Sequence, residues 1–311
     1  MVRKKKEKEY KGGEERPPFL SIVMPVLETP PLVTPWLMSV YMQCPDYEVV
    51  IADATADGGM LGYYEELLSR HANGDLYPKV NDIIDRTRYI RVPEECHGFP
   101  GAVKNLAGDV SSGRWIAFLE TGDFLMQNFL SDLKDAVDLF PESQMASCDF
   151  SAVYYDRYAD MMYPDTLGTC DKAGGTYAYC VREIRFGGRG LNFVKDLPVY
   201  RNRHPYRSAE FPVIMRRDAW EGCFHFLEDV PSHEGIGWHL QSVSLPEVCT
   251  DRLGYLHVLY PEYASARLND DLDVLSVSED GKSLASNVVE LDDTFKSVNY
   301  VKPRSHLSID G

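Results

Sequence analysis

The sequence has no apolar run long enough to cross a bilayer and no secretory hydrophobic region, so a soluble, cytoplasmic chain is expected. It is poor in cationic charge: 32 Lys and Arg stand against 48 Asp and Glu, a formal net charge of −16. That balance argues against nucleic acid as a main partner, because proteins that grip phosphate backbones carry a basic face. Paired cysteine motifs are missing too. The seven cysteines (Cys44, Cys96, Cys148, Cys170, Cys180, Cys223 and Cys249) are scattered, odd in number and without CxxC spacing. Neither a disulfide framework nor a cysteine zinc site is therefore indicated. His233 and His239 flank a glutamate, with His225 upstream, but their spacing differs from HExxH and does not put two histidines on one helical face. No GxGxxG follows the first strand-like run, which disfavours a dinucleotide-binding dehydrogenase. No internal repeat is visible.

What is present suits a globular α/β chain. Hydrophobic residues make up 44% of the 311 positions and aromatics 12%, enough to bury a sizeable core. Residues 1–18 are charged and nearly free of apolar side chains, and read as a flexible arm. The Lys4-Lys5-Lys6 run within it fits a solvated tail or contact with an anionic surface. Residues 269–311 are acidic and serine-rich and read as an extension. Between them, residues 19–268 are expected to form one domain, with 19–127 as one half and 128–268 as the other.

The first half alternates strand-like and helix-like segments. Phe19 to Val26, Tyr47 to Asp53, Tyr89 to Val92 and Trp115 to Leu119 are strand candidates. Helices are expected after Thr34 as N-cap with Pro35 at the first helical position, over Leu61 to Ala72, and over Gly101 to Val110. A further helix should present Leu130, Leu133, Val137 and Phe140 on one face before Pro141. This alternation gives a mostly parallel sheet with helices on both faces. Ligands of such sheets sit beyond the carboxyl ends of the strands. Here that rule selects the residues after Val26, the run Asp53 to Gly59, and Glu120 to Asp123. Asp-Gly and Gly-Asp are also common solubilising turns, and position alone does not separate the two readings.

Four segments taken in order resemble family-two glycosyltransferases of the GT-A fold. They are Leu20-Ser-Ile-Val-Met-Pro-Val26, Tyr47-Glu-Val-Val-Ile-Ala-Asp53 with Thr55 and Asp57-Gly58, Gly98 to Ala107, and Ser112 to Asp123. The resemblance implies transfer of a sugar from a nucleotide-diphosphate donor, weakly a UDP-sugar, to an acceptor hydroxyl with inversion. The acceptor would be a saccharide or another hydroxyl compound. Asp53 would read the donor base through its ring N–H, with Pro25, Val26 and Glu28 beside it at the end of the first strand. Lys104 and Asn105 would lie near the diphosphate. Glu120, Thr121 and Gly122 occupy the place of the acidic motif that holds ribose and a divalent cation, Mn²⁺ or Mg²⁺. The cation would offset charge on the leaving diphosphate. Asp123 is the expected metal ligand after a one-residue shift; in the alternative, Glu120 faces the ribose and the cation is held loosely. His257 falls where relatives place a histidine near the metal, and equally suits a strand histidine.

The sequence departs from the family at Glu120 and Gly122, where aspartates are usual, and at Leu27-Glu28, where an asparagine is usual. In the second half, Phe211 to Trp220 resembles the short strand and helix before the catalytic acid. Glu234 then takes the position of the base that accepts the acceptor's proton. An ordinary helix-start glutamate is the other reading of Glu234, and Glu228 and Asp229 are rivals for the role. Arg182, Arg185, Arg189, Arg201, Arg203 and Arg207 form an arginine-rich stretch, read as a loop closing on an anionic ligand or as a solvated face. A sugar-phosphate nucleotidyltransferase would need a glycine- and arginine-rich loop after the first strand, where Leu27-Glu-Thr-Pro-Pro31 stands. A nucleotide-sugar-binding or scaffold protein without catalysis is the non-enzyme alternative.

Overall fold

A computed structural model of the chain describes residues 16–43, 46–156, 161–164, 176–186, 189–201, 213–222, 225–229 and 245–259. The chain divides into one compact unit of Met1–Val153 with Met162–Val258 and a second of Tyr154–Met161 with Leu259–Gly311. The contacts analysed below lie within the first. The expected arm (1–18, save its last three residues) and extension (269–311) lie outside the described residues.

The first strands, β1 (Leu20–Val26) and β2 (Tyr47–Asp53), are buried at every position. Continuous apolar runs of this kind suit strands covered on both faces. β1 pairs in parallel with β2 and with β4 (Trp115–Phe118), and β2 pairs in parallel with β3 (Thr87–Arg91). The register sets Val26 opposite Asp53 and Asp53 opposite Arg91. Three strands therefore end in one row at the carboxyl edge. Helices α1 (Val33–Tyr41), α2 (Gly59–Ala72) and α3 (Pro78–Ile84) fall between β1 and β3, and α4 (Pro100–Val110) precedes β4.

Parallel pairing stops at β4. The remaining strands are β5 (Phe124–Leu125), β6 (Met145–Asp156), β7 (Met161–Pro164), β8 (Thr176–Phe186), β9 (Arg189–Arg201), β10 (Val213–Arg216) and β11 (Glu247–Leu259). β10 inserts antiparallel between β4 and β6, and β11 is antiparallel to β5. The sheet path runs β3-β2-β1-β4-β10-β6-β11-β5, with β8 and β9 forming a long antiparallel hairpin off it. Helices α5 (Phe129–Leu139) and α6 (Arg217–Gly222) and a 3₁₀ turn over Glu94–Cys96 complete the described elements. The expected short strand and helix before the acidic segment are β10 and α6.

Two helix boundaries differ from the sequence reading. The first turn of α1 closes on Leu32, whose carbonyl accepts the Trp36 N–H at 2.9 Å. Thr34 is thus inside the helix, not its cap, and Pro35 sits in the first turn, where its missing N–H costs nothing. α5 does bury Leu130, Leu133 and Val137, but Phe140 lies one residue beyond it and is 49% exposed. Pro141 disfavours helical backbone at the residue before it, which turns Phe140 off the buried face. α3 was not legible as a helix, although Pro78 starts it and Val80, Ile83 and Ile84 are buried.

A polar knot ties β1, β2 and the entry to β4. The buried Glu48 carboxylate accepts from the Ser21 hydroxyl at 2.6 Å, the Ser112 hydroxyl at 2.9 Å and the Gly113 N–H at 3.2 Å. A Cβ on Gly113 would stand 2.4 Å from the Ser21 backbone nitrogen, so only glycine lets the chain approach this closely. Gly113→Ala should therefore lower stability by about 1–3 kcal/mol in urea unfolding. A midpoint equal to the parent's would contradict this close approach.

Candidate functional site

The carboxyl edge carries three clusters, each built around charged side chains removed from water. The first surrounds Asp53, which is fully buried. Its Oδ1 accepts the Thr55 N–H at 2.8 Å and the Thr55 hydroxyl at 2.6 Å. Its Oδ2 accepts the Tyr89 hydroxyl and lies 3.0 Å from Arg91 Nη1. Arg91 also donates from Nη2 to the Thr55 carbonyl at 2.5 Å, and its side chain is 42% exposed. Burial first, then the hydrogen bond to Asp53, holds the Tyr89 hydroxyl well above its ordinary pKa. It therefore stays protonated and donates. The Tyr89 ring stacks on Tyr64 at 4.9 Å.

The second cluster joins α4 to the segment after α6. Lys104 is buried and its Nζ lies 2.5 Å from Glu120 Oε1. The same ammonium stands 5.1 Å from the centroid of the Phe226 ring. Asn105, 3% exposed, donates to the Phe226 carbonyl at 3.0 Å and to Glu228 Oε1 at 2.8 Å, and accepts the Phe226 N–H at 3.0 Å. Glu120 in place of an aspartate has the extra methylene that extends its reach toward Lys104. Cys96 lies nearby, its thiol pushed up by burial and then by the charges of Glu95 and Glu228.

The third is the turn between β4 and β5. Gly122 has φ 86°, a left-handed backbone that glycine adopts without strain, which accounts for the missing acid at this position. Asp123 is 1% exposed. Its Oδ1 accepts the Val258 N–H at 2.8 Å, and its Oδ2 accepts the Tyr255 hydroxyl and meets His257 Nδ1 at 2.9 Å. Asp123 thereby pins the turn to β11. Thr121 donates its hydroxyl to the Pro25 carbonyl at 2.7 Å, which fixes the turn to β1 as well.

The structure thus brings Pro25, Val26, Asp53, Thr121 and Arg91 to one edge, and Lys104 and Glu120 into contact. Glu28 is exposed on the loop after β1. The amide of Asn105 is spent on the Phe226–Glu228 segment. Glu234, His233 and His239 lie outside the described residues, as do Arg203 and Arg207, and of Arg182, Arg185, Arg189 and Arg201 only the backbone is described. Among the described residues the expected cation's ligands are engaged within the protein, the two expected metal residues Asp123 and His257 with each other at 2.9 Å. Gly122 offers no carboxylate, Asp123 spends both oxygens within the protein, and Glu120 is tied to Lys104. Among the described residues no group of three His, Cys, Asp or Glu side chains could hold a metal ion. No described helix is long and apolar enough to cross a membrane.

Sequence reasoning missed Tyr89, Arg91, Tyr255 and Phe226. Only Arg91 left a trace in the sequence, as a charged residue closing a short strand beside Asp53.

No family model and no curated protein matches the chain. Solved structures do. S. aureus TarS 1-349 superposes with a TM-score of 0.55 at 15% identity, over 77% of this chain and 60% of that one. The same protein in complex with UDP-GlcNAc gives 0.55 at 16% identity, over 77% and 58%. Its complex with UDP gives 0.53 at 16% identity, over 78% and 61%. This chain therefore spans about three fifths of the length of these neighbours. The likeness establishes the fold, which is of the GT-A type expected from the sequence.

Asp123→Asn replaces one accepting oxygen by an amide donor and forces the Tyr255 hydroxyl and His257 to reorient or lose their bond, which should cost about 1–3 kcal/mol of stability. The loss should be equal with and without Mn²⁺ in thermal unfolding. A loss seen only with Mn²⁺ would make Asp123 a metal ligand instead.

Proposed function

We propose that the chain is a glycosyltransferase that moves a sugar from a UDP-sugar donor to an acceptor hydroxyl. The observation that carries this reading is the pairing of two charged clusters at one carboxyl edge of a GT-A-type sheet. Asp53 with Arg91 lies at the end of β2 and β3, and Lys104 with Glu120 lies beside the end of β4. That S. aureus TarS was solved with UDP-GlcNAc and with UDP supports the choice of donor.

In this reading the base lies against the Asp53–Arg91 cluster. Asp53 reads a ring N–H only if the Tyr89 hydroxyl or Arg91 yields an oxygen as the nucleotide enters, because both oxygens are engaged beforehand. Pro25, Val26 and Glu28 line the adjoining end of β1, with Thr121 and Gly122 on the ribose side. Lys104 lies where negative charge builds on the departing diphosphate. Electrostatic stabilisation of a leaving group is effective when the charge is fixed in advance and water is excluded.

The transfer itself is a displacement. The acceptor oxygen bonds to the anomeric carbon as the bond to the diphosphate breaks, and the acceptor's proton passes to a carboxylate. Glu234 is the proposed base, with inversion as the consequence. A divalent cation belongs to the resemblance, the described residues hold no group of three ligands for it, and no step is routed through one. The second reading, a nucleotide-sugar-binding protein without turnover, is favoured by Gly122 and by the engaged carboxylate of Asp123.

Purified chain should release UDP from UDP-sugars in preference to GDP- and dTDP-sugars, followed with and without Mn²⁺. Glu234→Gln should bind donor as the parent does and lose turnover by about 10²–10⁴-fold. Arg91→Ala should weaken UDP binding by about tenfold, roughly 1.4 kcal/mol. UDP bound tightly with no turnover on any acceptor would establish the second reading. No nucleotide binding at all would overturn both.

A further inference from the structure

We infer that Asn105 is a positioning residue: it clamps the Phe226–Glu228 segment to α4 and thereby fixes the Lys104 ammonium between the Phe226 ring and the Glu120 carboxylate. The inference rests on the nucleotide-sugar transfer proposed above, and assigns Asn105 a task other than contacting the diphosphate.

The geometry of the clamp is complete on both ends of one amide. One Nδ2 hydrogen goes to the Phe226 carbonyl at 3.0 Å and the other to Glu228 Oε1 at 2.8 Å. Oδ1 takes the Phe226 N–H at 3.0 Å. The side chain thus pairs with both backbone groups of one residue, as a neighbouring strand would, across 121 positions of sequence. Its orientation is set by this pairing, since the flipped amide would face donor to donor and acceptor to acceptor. Asn105 is 3% exposed, so bonds lost here are not replaced by water.

What the clamp holds is a ring with one cationic and several aromatic neighbours. Phe226 meets Phe118 edge-on at 4.9 Å and Trp220 at 5.8 Å. Lys104 lies over the ring at 5.1 Å while its Nζ reaches Glu120 Oε1 at 2.5 Å. Phe118 closes β4 and Glu120 follows two residues later, so the ring packs against the end of the strand that leads into the acidic turn. Lys104 and Asn105 are consecutive on α4 and project in different directions. One residue of α4 carries the charge and the next fixes the surface that the charge lies on. Displacing Phe226 leaves the backbone of α4 in place and moves the partner that confines Lys104. The loss would then fall more on the rate of bond breaking, where charge builds on the diphosphate that Lys104 faces, than on donor affinity.

The test uses the full chain with two variants, Asn105→Asp and the double variant Asn105→Asp with Glu228→Gln, and with Glu228→Gln alone as the control. The carboxylate introduced by the first substitution keeps an acceptor for the Phe226 N–H but opposes the Phe226 carbonyl and the Glu228 carboxylate. The amide introduced by the second substitution offers the new carboxylate at position 105 a donor and removes the repulsion between the two acids, leaving only the opposition to the Phe226 carbonyl. The Kd for UDP by calorimetry should stay within about threefold of the parent for both, while kcat for UDP release from UDP-GlcNAc falls about thirtyfold in the single variant. The double variant should recover about tenfold of that loss. A Kd that rises in step with the fall in kcat would make Asn105 a donor ligand and overturn the inference, as would a double variant no faster than the single when Glu228→Gln alone keeps the parent's kcat. If Glu228→Gln alone is itself slow, hydrogen exchange decides instead. Should the parent release no UDP from UDP-GlcNAc, kcat gives no readout and the result bears only on the transfer reading. Hydrogen exchange of the peptide over 225–229 then decides the clamp: faster in the single variant and slowed again in the double supports it, and unchanged exchange overturns it.

Discussion

A carboxylate with no exposure to solvent has to be supplied with partners by the protein, because stripping an ion of water without compensation is far too costly for a domain of marginal stability. Asp53 sets that requirement at the end of β2, and the edge of the sheet is organised around meeting it. The parallel register supplies Arg91 on one side, the turn after the strand returns Thr55, and a stacked pair of tyrosines brings up the Tyr89 hydroxyl. The same logic recurs at Asp123, where β11 contributes a hydroxyl, an imidazole and a backbone N–H. Two buried acids thereby tie together strands that lie far apart in sequence.

These ties also explain how a ligand edge is kept in shape. Thr121 holds the acidic turn to β1, Asp123 holds it to β11, and Asn105 holds the segment after α6 to α4. The charges left nearest the edge, on Arg91, Lys104 and Glu120, are arranged by neighbours that do not themselves need to meet a ligand. Such prior organisation is what makes fixed charges effective in catalysis, since no reorganisation is needed as the reaction proceeds.

β1, β2 and β4 were legible because burial writes a nearly continuous apolar run, and Asp53 and Glu120 were legible because each ends such a run; β3, half-exposed along its length, showed only as a short Tyr-Ile-Arg-Val segment. The antiparallel half was less so: β10 sits between β4 and β6 through pairing with distant residues, which no local pattern encodes. The partners of the buried acids were illegible for the same reason. Tyr89 and Tyr255 read as ordinary strand tyrosines until the register places them against Asp53 and Asp123. The roles expected for Asn105 and Asp123 came from resemblance, and the folded chain turns both side chains toward the protein. Gly122 shows the opposite case, where a departure visible in the sequence acquires its reason from a single backbone angle.

The central claim is that one carboxyl edge receives a nucleoside diphosphate across the Asp53–Arg91 and Lys104–Glu120 clusters. A crystal structure of the chain grown with UDP tests this most directly. The account predicts the uracil ring against Asp53 and Arg91, and the diphosphate oxygens within hydrogen-bond reach of Lys104. UDP bound elsewhere, with both clusters as they are without it, would contradict it.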